Sequence, residues 1–275
     1  MTLLEALILG LIQGLTEFLP ISSSAHVQIA QELMDTSDLT KPQLTAFIAT
    51  IQIGTELAVI SYFAKTLLEI ARSFFSDAFK PWSRQGEKSK LGWLIVIGSL
   101  PIAILGLSFQ EQIEQDVRQL WVIAITLIVF GILLGVADLI GKKQKNISEL
   151  NVKSGLAFGF GQALALIPGV SRSGGTITVG RMLGFTREAA ARYSFLLAIP
   201  AVLASGIYQF LKSYQDLPQD LLFGTATATV VSGVSGYLVI AWLLKYLTRG
   251  SFLPFVIWRV GVGSLLLIGL SIGAI

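Results

Sequence analysis

Two stretches decide the fold: residues 13–26, QGLTEFLPISSSAH, and residues 162–176, QALALIPGVSRSGGT. Each follows an apolar run, turns at a proline into a serine cluster, and then continues as a short helix. The apolar runs cover residues 3–18 and 152–167, and the short helices about 25–34 and 174–183. A helix needs ~20 residues to cross a hydrocarbon core, and polar irregular backbone at that depth must be surrounded by protein or a water-filled cavity. We therefore predict two re-entrant helix–loop–helix units whose loops form a buried site.

The composition indicates an integral membrane protein. Hydrophobic residues make up 53% of 275, charged residues 13%, and the mean hydropathy is +0.72. A soluble domain carries roughly 25% charged residues, so a water-facing surface is not expected. Six further apolar runs are long enough to span a bilayer, which predicts a single all-α membrane domain over residues 1–275. The predicted spans are about 44–63, 91–109, 119–140, 190–211, 221–247 and 254–274.

Several function classes are disfavoured. The chain has no cysteine, which excludes a disulfide framework and thiolate chemistry, and its net charge of +3 does not indicate a nucleic-acid surface. Residues 3–19 lack a basic start and an A-x-A cleavage pattern, so we do not expect a removable signal peptide.

The two halves of the chain repeat. Ile21 through Ser24 aligns with Val170 through Ser173, and each half has one re-entrant unit followed by three spans. Because three is odd, the second half must enter the membrane from the opposite side. We predict an inverted repeat with halves of about 1–140 and 152–275. Binding sites in such folds lie near the midplane, where the broken helices meet.

Loop charges predict the orientation. Lysine and arginine concentrate in loops 64–90, 141–153 and 248–253, whereas loops 110–118 and 212–220 are poor in basic residues. We therefore expect the basic loops to be cytoplasmic.

Small residues recur at 224–229 and 232–236, which is typical of close helix packing inside the bundle or between two subunits. The sequence therefore allows a homodimer.

The first polar loop carries an acid and an imidazole. Gln13 and Glu17 share one helix face, Ser23 or Ser24 is expected to cap the next helix, and His26 falls in its first turn. A helix N-terminus favours an anion such as phosphate, and an intramembrane carboxylate is usually functional. The alternative interpretation is structural: a hydrogen-bonded glutamate and histidine with serines that pack helices.

The second loop supplies a cation. Arg172 lies between Ser171 and Ser173 at a helix start, and guanidinium matches phosphate oxygens with two parallel hydrogen bonds. The alternative is an arginine paired with Glu17 for stability alone.

Other polar residues are interpreted as structural. Glu56 could line the cavity, but we expect a structural hydrogen bond. The arginines near residue 187 are expected to lie at the cytoplasmic edge without a special role, and most tryptophans to act as interfacial anchors. The residues concerned are Arg181, Arg187 and Arg192, and Trp82, Trp93, Trp121, Trp242 and Trp258.

The motifs of both loops together resemble the undecaprenyl-diphosphate phosphatases of the bacitracin-resistance type, over essentially the whole chain. The resemblance implies a bacterial inner-membrane enzyme with a site open to the outer side. It would remove the terminal phosphate of a polyprenyl diphosphate lipid and return the carrier to cell-wall synthesis. It also implies a divalent cation, usually Mg²⁺. Carried over by position, the metal-binding residues would be Gln13 and Glu17, the catalytic residues Glu17, Ser23, His26 and Arg172, and the substrate-binding residues Ser22, Ser24, Ser171, Ser173 and Thr176.

The family allows Glu or Gln at the first motif position, and Gln13 leaves Glu17 as one acid to hold a metal directly. The attacking group is expected to be Ser23 assisted by His26, His26 itself, or water activated by His26. A lipid transporter or flippase using the same anion site is the main alternative, because inverted repeats with broken helices are also a transporter architecture. A non-catalytic lipid-binding subunit is the third alternative, although it would not need an acid, an imidazole and an arginine at membrane depth.

Overall fold

A computed structural model describes residues 1–34, 39–77, 79–109, 119–141 and 144–273. Within these ranges the chain forms ten α-helices joined by short 3₁₀ turns, and its only β-type pairing is an isolated bridge between Lys145 and Phe185. The helices are α1 (Leu3–Glu17), α2 (Ser23–Leu33), α3 (Lys41–Asp77), α4 (Glu87–Ser108), α5 (Leu120–Ile140), α6 (Val152–Ala163), α7 (Arg172–Met182), α8 (Arg187–Ser213), α9 (Leu222–Leu247) and α10 (Leu253–Ser271).

Six of these helices are long and apolar enough to cross a membrane, which confirms the predicted all-α membrane bundle. They are α3, α4, α5, α8, α9 and α10. The prediction was wrong about where the first span ends, because α3 continues through residues 64–77. Its exposed Lys65 and Arg72 suggested a loop, but charged residues are good helix formers once the helix leaves the apolar layer. Loop 110–118, Lys142 and Lys143 lie outside the described residues.

The ends of the helices fall into two groups at opposite ends of the bundle. At one end, the start of α1, the end of α2 and the start of α9 share a core cluster that includes Met1, Met34 and Leu221. At the other end, the residues after α5 pair with those after α7, because the Lys145 backbone N–H donates to the Gly184 carbonyl at 3.0 Å. The helix α9 joins the two groups, because its start lies in the first cluster and the Gly250 carbonyl beyond its end accepts from Arg187 at 2.9 Å. Arg187 also pairs with Asp138 near the end of α5, so α2 and α7 end at opposite ends of the bundle.

The tips of the two re-entrant units meet inside the bundle. Ser173 Oγ donates to the Leu19 carbonyl at 3.0 Å, which joins the second loop to the first. The small residues of α9 pack against neighbouring helices of the same chain. A Cβ added to Gly10 would lie 2.4 Å from the Ala228 carbonyl oxygen. These small residues therefore allow close helix packing inside the bundle.

A buried ion network fixes the far end of α7. Arg181 has 0% exposure and donates from Nε to Asp138 Oδ1 at 2.9 Å, and Arg187 donates from Nη2 to Asp138 Oδ2 at 2.7 Å. Asp138 Oδ2 also accepts from the Phe252 backbone N–H at 3.3 Å. The expectation that Arg181 and Arg187 have no special role was wrong for this reason. Their shared carboxylate ties α5, α7 and α8 together at the end of α7 that lies away from Arg172.

Candidate active site

Both loop tips have the same unusual backbone. Ser22 and Ser171 precede α2 and α7 and have φ angles of 75° and 70°, the two positive values for non-glycine residues among those described. Such a conformation costs about 1–3 kcal/mol and persists where surrounding structure enforces it. Ser171 Oγ caps α7 by accepting from the Gly174 N–H at 3.1 Å, but the Ser22 hydroxyl contacts Ser24 Oγ at 3.2 Å instead. The expected cap of α2 by Ser23 or Ser24 is not formed, and the N-cap residue is Ser22.

Glu17 is the centre of the site because its carboxylate accepts from three different helices. Oε1 accepts from the Arg172 guanidinium of α7. Oε2 accepts from Ser23 Oγ of α2 at 2.6 Å and from Gln13 Nε2 of its own helix at 2.9 Å. The Glu17 side chain is 8% exposed and that of Arg172 19%. The two loops are thus joined by an ion pair that is sheltered yet reachable from one side through the arginine.

His26 lies beside this centre, but its imidazole is not hydrogen-bonded to Ser23. Its Nδ1 lies 2.8 Å from the Ser22 carbonyl oxygen, and its Nε2 accepts from the Trp258 indole N–H at 2.7 Å. The hydroxyl of Ser23 instead donates to Glu17. The assistance of Ser23 by His26 stays a prediction, and the acceptor of the Ser23 hydroxyl in this structure is Glu17.

The remaining residues of the second loop face different ways. Ser171 and Ser173 are buried, and their hydroxyls lie 3.1 Å apart directly beside Arg172. Thr176 is fully buried, and its hydroxyl contacts the Ser194 hydroxyl and the Arg172 carbonyl. Thr176 therefore holds the first turn of α7 in place, and its assignment to substrate binding stays a prediction. In the first loop, Ser22 is buried whereas Ser24 is exposed.

Arg259 of α10 was missed by the sequence reasoning. It has 0% exposure and donates to five carbonyl groups, among them those of Pro20, Gly169 and Val170 at 3.1, 2.9 and 3.0 Å. The two other acceptors are Thr126 and Leu127 of α5. Arg259 forms no ion pair with any described residue. Arg259 therefore binds both loop tips, and its unpaired positive charge lies next to them. An arginine inside an apolar span is a functional-site signal by default, and that signal was available.

Trp258, the neighbour of Arg259, was interpreted as an interfacial anchor but contacts His26. Glu56 of α3 also differs from expectation. It is 4% exposed and packs against Gly206 of α8, and its Oε1 has no hydrogen-bond partner among the described residues. The structural hydrogen bond predicted for Glu56 is therefore not found at Oε1.

The oxygen atoms of Gln13 and Glu17 show how a divalent cation would fit. No cluster of three or more His, Cys, Asp or Glu residues that could hold a metal occurs in the described part of the chain. Both oxygens of Glu17 already accept protein hydrogen bonds, and the Gln13 amide oxygen is not used in its bond to Glu17. Mg²⁺ commonly uses one or two carboxylates plus substrate phosphates. The residues thus fit a cation that arrives with a diphosphate, and they do not form a closed resident site.

Comparisons with known proteins identify the family of this chain. The sequence model of the family "Bacitracin resistance protein BacA" matches residues 6–265. A relative from Nocardioides sp., named undecaprenyl-diphosphatase, is 50% identical over 276 residues, which covers 99% of this chain and 98% of the relative. "Undecaprenyl-diphosphatase 2" of Agrobacterium fabrum is 50% identical, covering 99% and 97%. The undecaprenyl-diphosphatase of Micrococcus luteus is 47% identical, covering 100% and 99%. With a family match over nearly its whole length and both loop motifs in one site, the chain belongs to the bacitracin resistance protein BacA family.

Proposed function

We propose that this protein hydrolyses undecaprenyl diphosphate to undecaprenyl phosphate and inorganic phosphate, and so returns the lipid carrier to cell-wall synthesis. The observation that carries the proposal is the ion pair between Glu17 and Arg172, which joins two loops from opposite ends of a membrane bundle. The guanidinium of Arg172 lies there with the hydroxyls of Ser23, Ser171 and Ser173, at the starts of α2 and α7. This is the donor set that an anionic diphosphate requires, and the relatives' printed name states the same activity.

Binding of the diphosphate would begin with an exchange of partners. Arg172 carries five N–H donors and uses one nitrogen on Glu17. A diphosphate offers more acceptor oxygens and more charge than one carboxylate, so it competes for the guanidinium. Ser171 and Ser173 flank Arg172 and supply neutral donors. As the arginine turns to the phosphate, Glu17 loses its cation and becomes the better proton acceptor.

The contacts favour Ser23 as the attacking group among the three candidates. Its Oγ proton passes to Glu17 Oε2, 2.6 Å away, as the new Oγ–P bond forms. The P–O bond to the bridging oxygen breaks, and undecaprenyl phosphate leaves. Water then adds to the phosphoserine, and Glu17 returns its proton to Ser23 Oγ as the Oγ–P bond breaks. Inorganic phosphate leaves with the protons of the water, and the Glu17 carboxylate is restored. Trapping a phosphoryl group on Ser23 would support this order of events, whereas one on His26 would contradict it, as would water attack without an intermediate.

Mg²⁺ is proposed as a companion of the substrate, with Gln13 and Glu17 as the residues that would hold it. When bound it would neutralise charge on the phosphate oxygens. The side chains themselves orient and bind: Gln13 fixes Glu17, and Arg172 holds the phosphate.

The location follows from the loop charges. We place the protein in the bacterial inner membrane with its basic loops in the cytoplasm, and the site open to the outer side, where the unit formed by α1 and α2 enters. The halves of about 1–140 and 152–275 are proposed to be related as an inverted repeat. A homodimer stays a prediction, and the packing of α9 within its own chain gives it no added support.

The experiment measures phosphate release from a prenyl diphosphate by purified protein, with Mg²⁺ and with chelator. We expect Glu17→Gln and Arg172→Lys to lose at least ~100-fold in rate, since each removes a charge-specific contact at the reacting phosphate. Exposed Arg249→Lys is the matched control and should match the wild type. Because opposite entry of the two units also suits a transporter, lipid movement across proteoliposomes is measured in parallel. Movement without phosphate release, retained in His26→Ala, would favour the transporter.

A further inference from the structure

The side chain of Trp258 forms an unexpected pair with the single histidine of the chain. The indole Nε1 lies 2.7 Å from His26 Nε2, and the two rings are nearly parallel, with 13° between their planes and 6.0 Å between their centres. The two residues are 232 positions apart in the sequence. Trp258 is 53% exposed, so burial alone does not fix its orientation.

The partners of the imidazole decide where its proton lies. The Ser22 carbonyl, 2.8 Å from Nδ1, can only accept a hydrogen bond, so Nδ1 carries the proton. The indole N–H can only donate, so Nε2 carries the lone pair. His26 is therefore neutral in this arrangement, with its basic nitrogen occupied by the indole. Which nitrogen is protonated decides what a histidine can do in proton transfer.

The surroundings hold Trp258 in place. The next residue, Arg259, donates to carbonyl groups of both loop tips, so the backbone of α10 at this point is tied to the site. His26 lies in the first turn of α2, four residues after the strained Ser22 whose carbonyl it contacts. The imidazole is thus held from two sides: by the first loop at Nδ1 and by α10 at Nε2.

We propose that Trp258 is a positioning residue that fixes His26 as the Nδ1–H tautomer and aims its Nε2 lone pair. The indole donor would yield that position when a phosphate hydroxyl, or the water that attacks the phosphoserine, arrives. His26 would then accept that proton without rotating. The effect on rate rests on the proposed phosphatase function, but the tautomer and the hydrogen bond do not.

The first test is spectroscopic and needs no assignment, because the chain has one histidine. In ¹⁵N-histidine, ¹⁵N-tryptophan protein in detergent, we expect a protonated Nδ1, an unprotonated Nε2, and a scalar coupling across the hydrogen bond from Trp258 Nε1. Trp258→Phe keeps a stacking ring and removes the donor, so the coupling should vanish and the Nε2 resonance should move. Trp258→Tyr keeps a ring with a donor hydroxyl and should restore much of the Nε2 shift.

The second test is kinetic, on the same variants with a prenyl diphosphate. Trp258→Phe should lower kcat roughly three- to tenfold, the worth of one hydrogen bond, with little change in KM, and Trp258→Tyr should lie nearer the wild type. Trp242→Phe is the matched control, because Trp242 is 52% exposed and stacks on Tyr246 at 13°, but lies elsewhere on the bundle. A protonated Nε2 in the wild type, or an Nε2 resonance unmoved in Trp258→Phe, would overturn the proposal. Wild-type protein without phosphatase activity would defeat the proposed function instead, and the spectra would still decide the role of Trp258.

Discussion

Replacing Arg259 tests whether the two loops need a common donor. Its guanidinium contacts five carbonyl groups, and three of them belong to the loop residues Pro20, Gly169 and Val170, at 2.9–3.1 Å. Leaving a buried acceptor unsatisfied costs about 1–3 kcal/mol, so losing the three loop contacts in Arg259→Met removes roughly 3–9 kcal/mol of favourable interaction. Relief from burying an unpaired charge offsets several kcal/mol of that loss. We therefore expect a net decrease of about 2–4 kcal/mol in the free energy of unfolding.

The loss of activity should exceed the loss of stability. Arg259 fixes the loop tips that carry Glu17 and Arg172, and a displacement of ~1 Å at a reacting group can cost ~100-fold in rate. Arg259→Met should therefore reduce phosphate release at least ~100-fold. Arg259→Lys keeps the charge but has three donors instead of a planar fork, so we expect a loss of roughly tenfold.

The assay compares phosphate release and thermal unfolding in detergent for both variants, with exposed Arg249→Met as the control for loss of one arginine. Activity is measured well below each variant's unfolding temperature, so that a difference in rate reports on the site. If Arg259→Met kept near wild-type kcat and KM, the loops would not depend on this donor, and the reasoning would be refuted.

Three further predictions follow from other parts of the bundle. Asp138→Asn should lower the free energy of unfolding by about 3–5 kcal/mol, because Arg181 and Arg187 would lose their shared buried carboxylate; denaturant titration in detergent measures this, and a change below ~1 kcal/mol would contradict it. Gly169→Ala should unfold at a markedly lower temperature, because Gly169 has φ +91° and an added Cβ would lie 2.0 Å from Thr126 Oγ1; equal unfolding temperatures would refute this. Mg²⁺ alone should leave the unfolding temperature unchanged and should raise it only together with a non-hydrolysable diphosphate, so stabilisation by the ion alone would indicate a resident site.

The sequence was sufficient for the bundle and for the contacts within each loop. Apolar runs located all six spans, and the i, i+4 spacing placed Gln13 and Glu17 on one face, where they bond at 2.9 Å. The pairing of Glu17 with Arg172 was one of the two interpretations of the arginine. Such predictions succeed because helix periodicity and burial of charge act on residue types that can be read directly.

The contacts made by α10 could not be predicted in the same way. Arg259 binds backbone carbonyl groups, which every residue possesses, so no partner residue marks the contact in the sequence. Trp258 and His26 are joined across the whole chain, and their pairing depends on how α10 packs beside α2. The end of α3 was misplaced because charge indicates exposure to water, not the end of a helix.

Glu17 cannot keep all of its partners once a diphosphate is bound. Its two oxygens already serve Arg172, Ser23 and Gln13, and a cation would need one of the same oxygens. The arginine is the partner that a diphosphate can take away, because it carries the complementary charge and is the more exposed member of the pair, 19% against 8%. The resting ion pair therefore satisfies two buried charges in the absence of substrate. In the proposed mechanism, substrate binding frees the acid when a proton acceptor is needed. Arg259, which has no acidic partner among the described residues, keeps the loops positive throughout.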